Sequence, residues 1–324
     1  MSDPIKKKAL ALFSGGLDST LAVLVARDAG AEVIGIKFTT PFFGSRSAET
    51  GAAAINLPLF VKDIYEPHLK ILRNPKFGYG RNLNPCLDCH ILMVKTAKAM
   101  LAETGADFLI SGEVLGERPK SQTREALHVL EKYSDTQGLL LRPLSAKLLE
   151  PTIPELNGWM DREKLYEING RSRKAQLELA SRYGLTEFET PAGGCLLTEP
   201  NFCLRLKKIL HDPLLSRKKL ELLKCGRHFM VEGYLVVIGR NQSDNEFLAG
   251  LVEPDDAVIR VFDRPSPLTV VIGGIRARES ALQKAAALTL RYSKYRDEKN
   301  VALKIIEQVI IIESAINDGQ FERL

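Results

Sequence analysis

The hexapeptide Ser14-Gly15-Gly16-Leu17-Asp18-Ser19 limits what this chain can fold into more than any other stretch, because it joins a short apolar run to an amphipathic one. Two glycines after a strand let the backbone turn tightly and aim N–H groups at an anion. The helix that follows adds its positive dipole end. Ser14, Ser19 and Thr20 offer hydroxyls to phosphate oxygens, and Asp18 offers a carboxylate to Mg²⁺. No lysine follows the glycines, so the loop is not of the Walker type. A serine-capped Gly-Gly turn is common in proteins that bind no nucleotide, but the full hexapeptide at a first strand-to-helix junction is much rarer. The motif predicts a phosphate-binding loop.

The surrounding pattern predicts an α/β fold built on a doubly wound parallel sheet. Lys8 to Phe13 reads as a buried strand, Ser19 to Ala29 as a helix ended by Gly30, and Glu32 to Phe38 as the next strand. Such a sheet carries its ligands at the carboxyl ends of its strands. Ile55 to Val61 supplies a third strand, Met93 to Thr104 a helix ended by Gly105, Phe108 to Ile110 a fourth strand, and Leu139 to Leu141 a fifth. Helices are expected over Asp161 to Asn169 and Arg173 to Tyr183, leading to a glycine-flexed turn at Pro191-Ala192-Gly193-Gly194-Cys195-Leu196. Beyond Leu215 the texture shifts to short β-branched runs between turn residues, at Arg227–Val231, Tyr234–Ile238, Phe247-Leu248, Ala257–Phe262 and Leu268–Ile272. Closing helices are expected over Glu279 to Tyr292 and Val301 to Ile316. The boundary falls between Arg205 and Arg217, dividing residues 1–210 from a smaller α+β domain at 211–324.

Composition sets outer limits. The 324 residues are 45% hydrophobic and 26% charged, with 45 basic against 40 acidic side chains and a net charge of +5. This excess permits a polyanionic partner without demanding one. Lys6-Lys7-Lys8 precedes an apolar run too short for a signal-peptide core, and no segment approaches the ~20 apolar residues of a membrane span. Val309 to Ile312 is read as part of a short, charge-flanked helix. A cytoplasmic location without membrane attachment is expected. An odd five cysteines in such a chain point to thiol or metal chemistry before a disulfide framework.

Three of those cysteines stand out. Asn84-Pro85-Cys86-Leu87-Asp88-Cys89-His90 sets two thiols three apart just before a helix, and Cys195 lies in the glycine-framed turn. A thiol at a helix N-terminus is expected to have a lowered pKa and more thiolate. Three thiolates also form a soft site for an iron–sulfur cluster or zinc. Cys203, among Phe202, Leu204 and Leu206, and Cys225 before Gly226 read as small buried hydrophobes.

The SGGLDS signature resembles that of the PP-loop, or N-type, ATP pyrophosphatases, which split ATP to AMP and pyrophosphate while adenylating a carbonyl oxygen. Gly112, after the fourth strand, falls where sheet topology puts ligands and is counted with the nucleotide site, and the resemblance implies that the main chain around Ile36, Lys37 and Phe38 lies near the adenine. The cysteine pattern resembles the tRNA-thiolating branch of that family, its 2-thiouridylases and 4-thiouridine synthetases. Cys89 and Cys195 match the two cysteines of the thiouridylases, with His90 where that family has Asn and Leu196 where it has Phe. Cys86 completes the three-cysteine set of thiolases that carry a 4Fe–4S cluster with one iron open. The implied chemistry is adenylation of a tRNA base carbonyl, then displacement of AMP by sulfur from sulfide or a persulfide carrier. Two sulfur routes remain: a persulfide on Cys195 resolved by Cys89, or a cluster on Cys86, Cys89 and Cys195. A structural zinc site is the plainer alternative, and a homodimer is allowed for.

Among other polar residues, Glu113 after the fourth strand could position a base or a metal, or simply cap a helix. Gln122, in Arg118-Pro119-Lys120-Ser121-Gln122, falls where related thiolases keep a substrate-side Gln. Arg142, Arg171, Arg173 and Lys174 are either RNA-phosphate contacts or solvated charges. Residues from about Cys225 to Arg296, above all Gly239-Arg240-Asn241-Gln242-Ser243-Asp244-Asn245, resemble the NFACT-R domain of RNA-handling proteins. In that stretch Arg240 and Asn241 offer donors to phosphate or ribose, unless the motif merely closes a hairpin.

Overall fold

Phosphate-loop chemistry needs a strand that ends in the open and a helix that starts beside it, and the first two elements supply both. The computed structural model describes residues 7–44, 46–185, 195–213 and 215–324, so the Pro191 to Gly194 part of the expected turn and Lys6 lie outside the described residues. Contacts divide the chain into two units, Met1–Thr198 and Glu199–Leu324.

The first unit runs β1 (Lys8–Leu12), α1 (Leu17–Asp28), β2 (Glu32–Thr39), α2 (Arg46–Ala54), β3 (Leu59–Asp63), α3 (Tyr65–Arg73), α4 (Cys86–Ala99) and α5 (Leu101–Thr104). It continues with β4 (Phe108–Ser111), α6 (Arg124–Ser134), β5 (Leu140–Leu141), α7 (Ile153–Leu156) and α8 (Lys174–Arg182). The five strands form one parallel sheet in the order β3-β2-β1-β4-β5. Side chains alternate across it, as the two-residue strand period requires. Ala9, Ala11, Val33 and Ile110 face one core with Leu21, Val25, Leu179 and Ala180 from α1 and α8. Leu10, Ile34, Ile36 and Leu109 face another with Val94, Ala97 and Leu130 from α4 and α6. Both faces are covered, which is why the central strands read as unbroken apolar runs. The order reverses between β1 and β4, the switch point outside which sheets of this kind hold their ligands.

Two expectations for this unit need correction. The third strand begins at Leu59, four residues later than Ile55, and it is a largely exposed edge strand. Asp161 to Asn169 forms no helix beyond one 3₁₀ turn at Arg162–Lys164. Its backbone is taken by another partner, since Tyr166 N–H donates to Pro143 O and Ile168 N–H to Leu144 O, at 2.9 and 2.8 Å. The helices α3 and α6 lay unread in the sequence, although Thr123 caps α6 by accepting from Ala126 N–H.

The second unit contains α9 (Pro200–Ile209), α10 (Arg217–Leu222), β6 (Arg227–Val231), β7 (Tyr234–Ile238), α11 (Gln242–Ala249), β8 (Ala257–Val261) and β9 (Thr269–Val271). Then come α12 (Glu279–Arg291), β10 (Val301–Ile305), β11 (Gln308–Ile312) and β12 (Glu322–Arg323). Its strands form a seven-stranded antiparallel sheet in the order β11-β10-β8-β9-β7-β6-β12. Ala285, Ala286 and Leu288 of α12 pack with Phe229, Val236, Ile259 and Leu303 of the sheet. Phe247-Leu248 proves helical, within α11, and the expected closing helix over Val301 to Ile316 is instead a hairpin. Val301, Leu303 and Ile305 alternate inward, a period of two over only five residues. Ile306 takes φ 56° at the turn, where Gly or Asn would have announced it. Among the described residues no helix is long and apolar enough to cross a membrane.

Candidate functional site

The loop after β1 has the conformation that its glycines permit. Gly15 takes φ 84°, a left-handed value costly for any residue with a Cβ. Gly16 is the N-cap of α1 and has no side chain to cap it, which leaves first-turn N–H groups for an anion. Ser14 and Ser19 meet through their hydroxyls at 3.1 Å, and Ser14 N–H donates to Ser19 Oγ at 3.3 Å. Ser19 and Thr20 both donate to Gly16 O, at 2.9 and 3.1 Å, so each hydroxyl must rotate to donate to a phosphate. Lys37 and Phe38 sit at the carboxyl end of β2, next to this loop, because Leu12 pairs with Ile36 and Phe13 N–H donates to Ile36 O.

Gly112, after β4, packs directly on the loop: a Cβ there would stand 2.6 Å from Ser19 N and 2.7 Å from Asp18 O. Asp18 itself is partly buried. Burial raises its pKa, against the pull of Arg173, Arg118 and the Gln176 amide. Its Oδ1 is buried with no hydrogen-bond partner. An orphaned carboxylate oxygen beside a phosphate loop fits a bound divalent cation, which would remove the cost of burial.

The thiols gather at the same carboxyl end of the sheet. Cys86 and Cys89 open α4, and Leu196 N–H, next to Cys195, donates to Phe42 O at 3.1 Å in the turn after β2. Cys89 is buried at 6% exposure, and its pKa is pushed up by burial and then by the neighbouring Cys195, Cys86 and Asp88. Cys86 is also raised by burial, although Arg118 and Lys120 pull the other way. The expected lowering by the helix N-terminus is therefore overturned, since desolvation outweighs the dipole here. Asp88 explains part of the fold: its carboxylate accepts from Lys76 and Phe77 N–H, both at 3.0 Å, fixing the preceding loop against α4. Among the described residues no three His, Cys, Asp or Glu are drawn together tightly enough for a single metal ion. In a cluster each thiolate binds a different iron, so the sulfurs stand farther apart than around one ion. Three mutually influencing thiols suit that donor set.

Behind this edge Glu113 anchors a buried network. It faces His90 Nδ1 at 3.1 Å, accepts from Ser111 Oγ at 3.0 Å and pairs with Arg142 Nε at 3.1 Å. Arg142, only 3% exposed, also pairs with Glu131. Burial alone would raise the Glu113 pKa, but Arg142, His90 and Ser111 outweigh it and bring it to about 2. Arg142 is thus neither a solvated charge nor available to RNA, and Glu113 caps no helix. A cavity of about 660 Å³ opens beyond Arg142, lined also by Arg124, His128 and Glu155, and neither the loop nor the thiols reach it.

Sequence reasoning missed Gln176 and Glu117 near Asp18. Gln176 left a signal: it shares the inward face of α8 with Leu179 and Ala180, three and four residues on. Arg173 was singled out for RNA, yet it faces Asp18. In the second unit, Asn241 caps α11 by accepting from Asp244 N–H at 2.9 Å. Asp244 accepts from Arg240 N–H and Nε–H at 3.0 and 2.7 Å, and Asn245 Oδ1 accepts from Leu268 N–H. These bonds make the motif a lock between β7 and α11 and not a hairpin closure.

Residues 5–148 match the family model described as thiamine biosynthesis protein (ThiI), and residues 226–317 match the NFACT protein RNA binding domain. Among curated relatives, tRNA-specific 2-thiouridylase MnmA 1 of Syntrophus aciditrophicus is 30% identical over 55% of this chain and 51% of its own length. The tRNA-specific 2-thiouridylase MnmA of Tropheryma whipplei (strain Twist) is 28% identical over 44% of each. The chain spans about half the length of the curated relatives it matches. A solved complex of a 4-thiouridine synthetase with RNA and bound ATP aligns with a TM-score of 0.36 and 21% identity, over 56% of this chain and 54% of that one. The resemblance to PP-loop thiolation enzymes and to the NFACT-R domain is borne out over these two stretches.

Proposed function

We propose, for a chain similar at one end to the ThiI family and at the other to the NFACT RNA-binding domain, that it is an ATP-dependent tRNA sulfurtransferase of the cytoplasm. The observation that supports this reading is that three thiols lie within electrostatic reach of one another, and Arg118 within reach of both Cys86 and the Gly-Gly loop's Asp18. Arg118 acts on both Asp18 and Cys86 and so links the two halves of the site.

In the reaction, the carbonyl oxygen of a base attacks the α-phosphorus of ATP and pyrophosphate leaves. A sulfur nucleophile then attacks the activated carbon, and AMP departs with the former base oxygen. The chain's part is to orient both reactants, which supplies much of the rate. Backbone N–H groups of Gly15, Gly16 and the first turn of α1 hold the triphosphate, with Ser14, Ser19 and Thr20 beside it. Asp18 holds Mg²⁺, Gly112 permits the close approach, and main chain at Lys37 and Phe38 receives the adenine. Cys86, Cys89 and Cys195 would hold a 4Fe–4S cluster, which when bound supplies an open iron for incoming sulfide. The burial of Cys89 favours this over a free thiolate there, because coordination deprotonates a thiol outright.

The test is anaerobic purification with iron and acid-labile sulfide analysis, followed by mass spectrometry of tRNA nucleosides from a deletion strain. Iron near four per chain and loss of one thionucleoside are expected. An unchanged thionucleoside profile would remove the tRNA assignment, and iron-free active protein would remove the cluster.

A further inference from the structure

A triphosphate and its leaving pyrophosphate are polyanions, yet no lysine follows Gly15-Gly16 to meet them. We propose that Arg118 and Arg173 form a guanidinium clamp that replaces this lysine, gripping the β- and γ-phosphates of ATP and then the departing pyrophosphate above Asp18. The inference rests on the nucleotide reading given above.

Two loops bring both guanidinium groups within electrostatic reach of Asp18 and Glu117. Leu115 pairs with Asn169 in a parallel bridge, and Gly170 N–H donates to Leu115 O at 2.8 Å. Gly116 lies so close that a Cβ on it would stand 3.4 Å from Gly170 N. The loop carrying Arg118 and the loop carrying Arg173 are thereby strapped to each other. Both are also tied to the phosphate loop, since Gly112 abuts the Asp18–Ser19 backbone and α8 packs on α1. Arg173 is the N-cap of α8, and Arg118 is exposed.

The second observation is an unmet demand for partners at this spot. Gln176 is fully buried on α8 with its amide turned to the Asp18 carboxylate, which it helps to keep charged, but the approach is too loose to satisfy either group by hydrogen-bond geometry. Arg173 Nε and Asp18 Oδ1 are buried and unpartnered as well. Buried polar atoms are nearly always satisfied, so several orphans beside one loop mark where a polar ligand completes the structure. A planar guanidinium suits phosphate because it donates two parallel hydrogen bonds. Glu117 stands with Asp18 near both arginines, so two carboxylates balance two guanidiniums in the free chain. A polyanion is drawn in only when it brings a cation, so the clamp selects the Mg²⁺ complex of the nucleotide.

Calorimetric titration of the full chain with Mg²⁺–α,β-methylene-ATP, with Mg²⁺–pyrophosphate and with AMP tests this directly. Arg118→Ala and Arg173→Ala should each weaken the first two by about tenfold or more and change AMP by less than about twofold, with Arg173→Lys in between. Equal losses for AMP and the triphosphate would reduce Arg173 to a scaffold residue and overturn the clamp. Unchanged triphosphate affinity would also overturn it while leaving nucleotide binding intact. Failure of the wild-type chain to bind any of the three would instead overturn the underlying nucleotide reading.

Discussion

At Gly112 the strand β4 and the phosphate loop touch, and a single methyl group has nowhere to go. Its neighbours are backbone atoms of Asp18 and Ser19, which cannot rotate away. Gly112→Ala should therefore displace the loop, costing about 1–3 kcal/mol as overpacking does. Nucleotide affinity should fall at least about tenfold, more than the loss in melting temperature would suggest. Glu113 shows a different dependence on surroundings. Its folded pKa lies below the ordinary value of 4.5, so it contributes stability that is fully present above that value and is lost as pH falls towards about 2. The melting-temperature gap between wild type and Glu113→Gln should accordingly narrow as pH drops from about 5 to about 2. A constant gap would show that the Arg142 pairing is not the source. Arg142→Met leaves Glu113 buried without its cation and should cost about 3–5 kcal/mol in denaturant unfolding.

Among elements, the lock between β7 and α11 is where a recognisable motif turned out to serve the fold. A Cβ on Gly239 would meet Asn245 Oδ1 at 2.1 Å, and Gly226, at φ 84°, would meet Ile238 O at 2.8 Å. These positions are crowded for architectural reasons. Asn241→Ala removes the cap of α11 and should lower the unfolding free energy by about 1 kcal/mol in chemical denaturation. Any effect on RNA affinity should follow only from that loss, which a measurement at low temperature would separate. The hairpin of β10 and β11 and the failed helix at Asp161–Asn169 fall in the same class. Both were misread because the deciding hydrogen bonds join residues that local pattern does not relate: Leu303 to Val261, and Tyr166 to Pro143.

For the molecule as a whole, each unit has its own apolar core, one pair sandwiching the parallel sheet and one beneath α12. A chain ending at Thr198 is expected to keep Mg²⁺–nucleotide affinity within about threefold. Its tRNA affinity in a filter-binding assay should drop at least about tenfold, and its dependence on salt should flatten as phosphate contacts are lost. Unaltered tRNA affinity would return the second unit to a purely structural part.

The Gly-Gly turn between β1 and α1, the doubly wound sheet and the antiparallel second unit were legible in the sequence alone. Each rests on short-range physics: glycine conformation after a strand, side-chain alternation, and apolar runs bounded by turn residues. The tertiary structure alone decided three things. It set how closely Cys195 approaches the Cys86 and Cys89 pair that family resemblance had already grouped with it, it turned Arg173 and Gln176 towards Asp18, and it raised the thiol pKa values that the helix N-terminus was expected to lower. Burial depends on which elements pack together, and packing joins residues whose separation along the chain carries no trace of their contact.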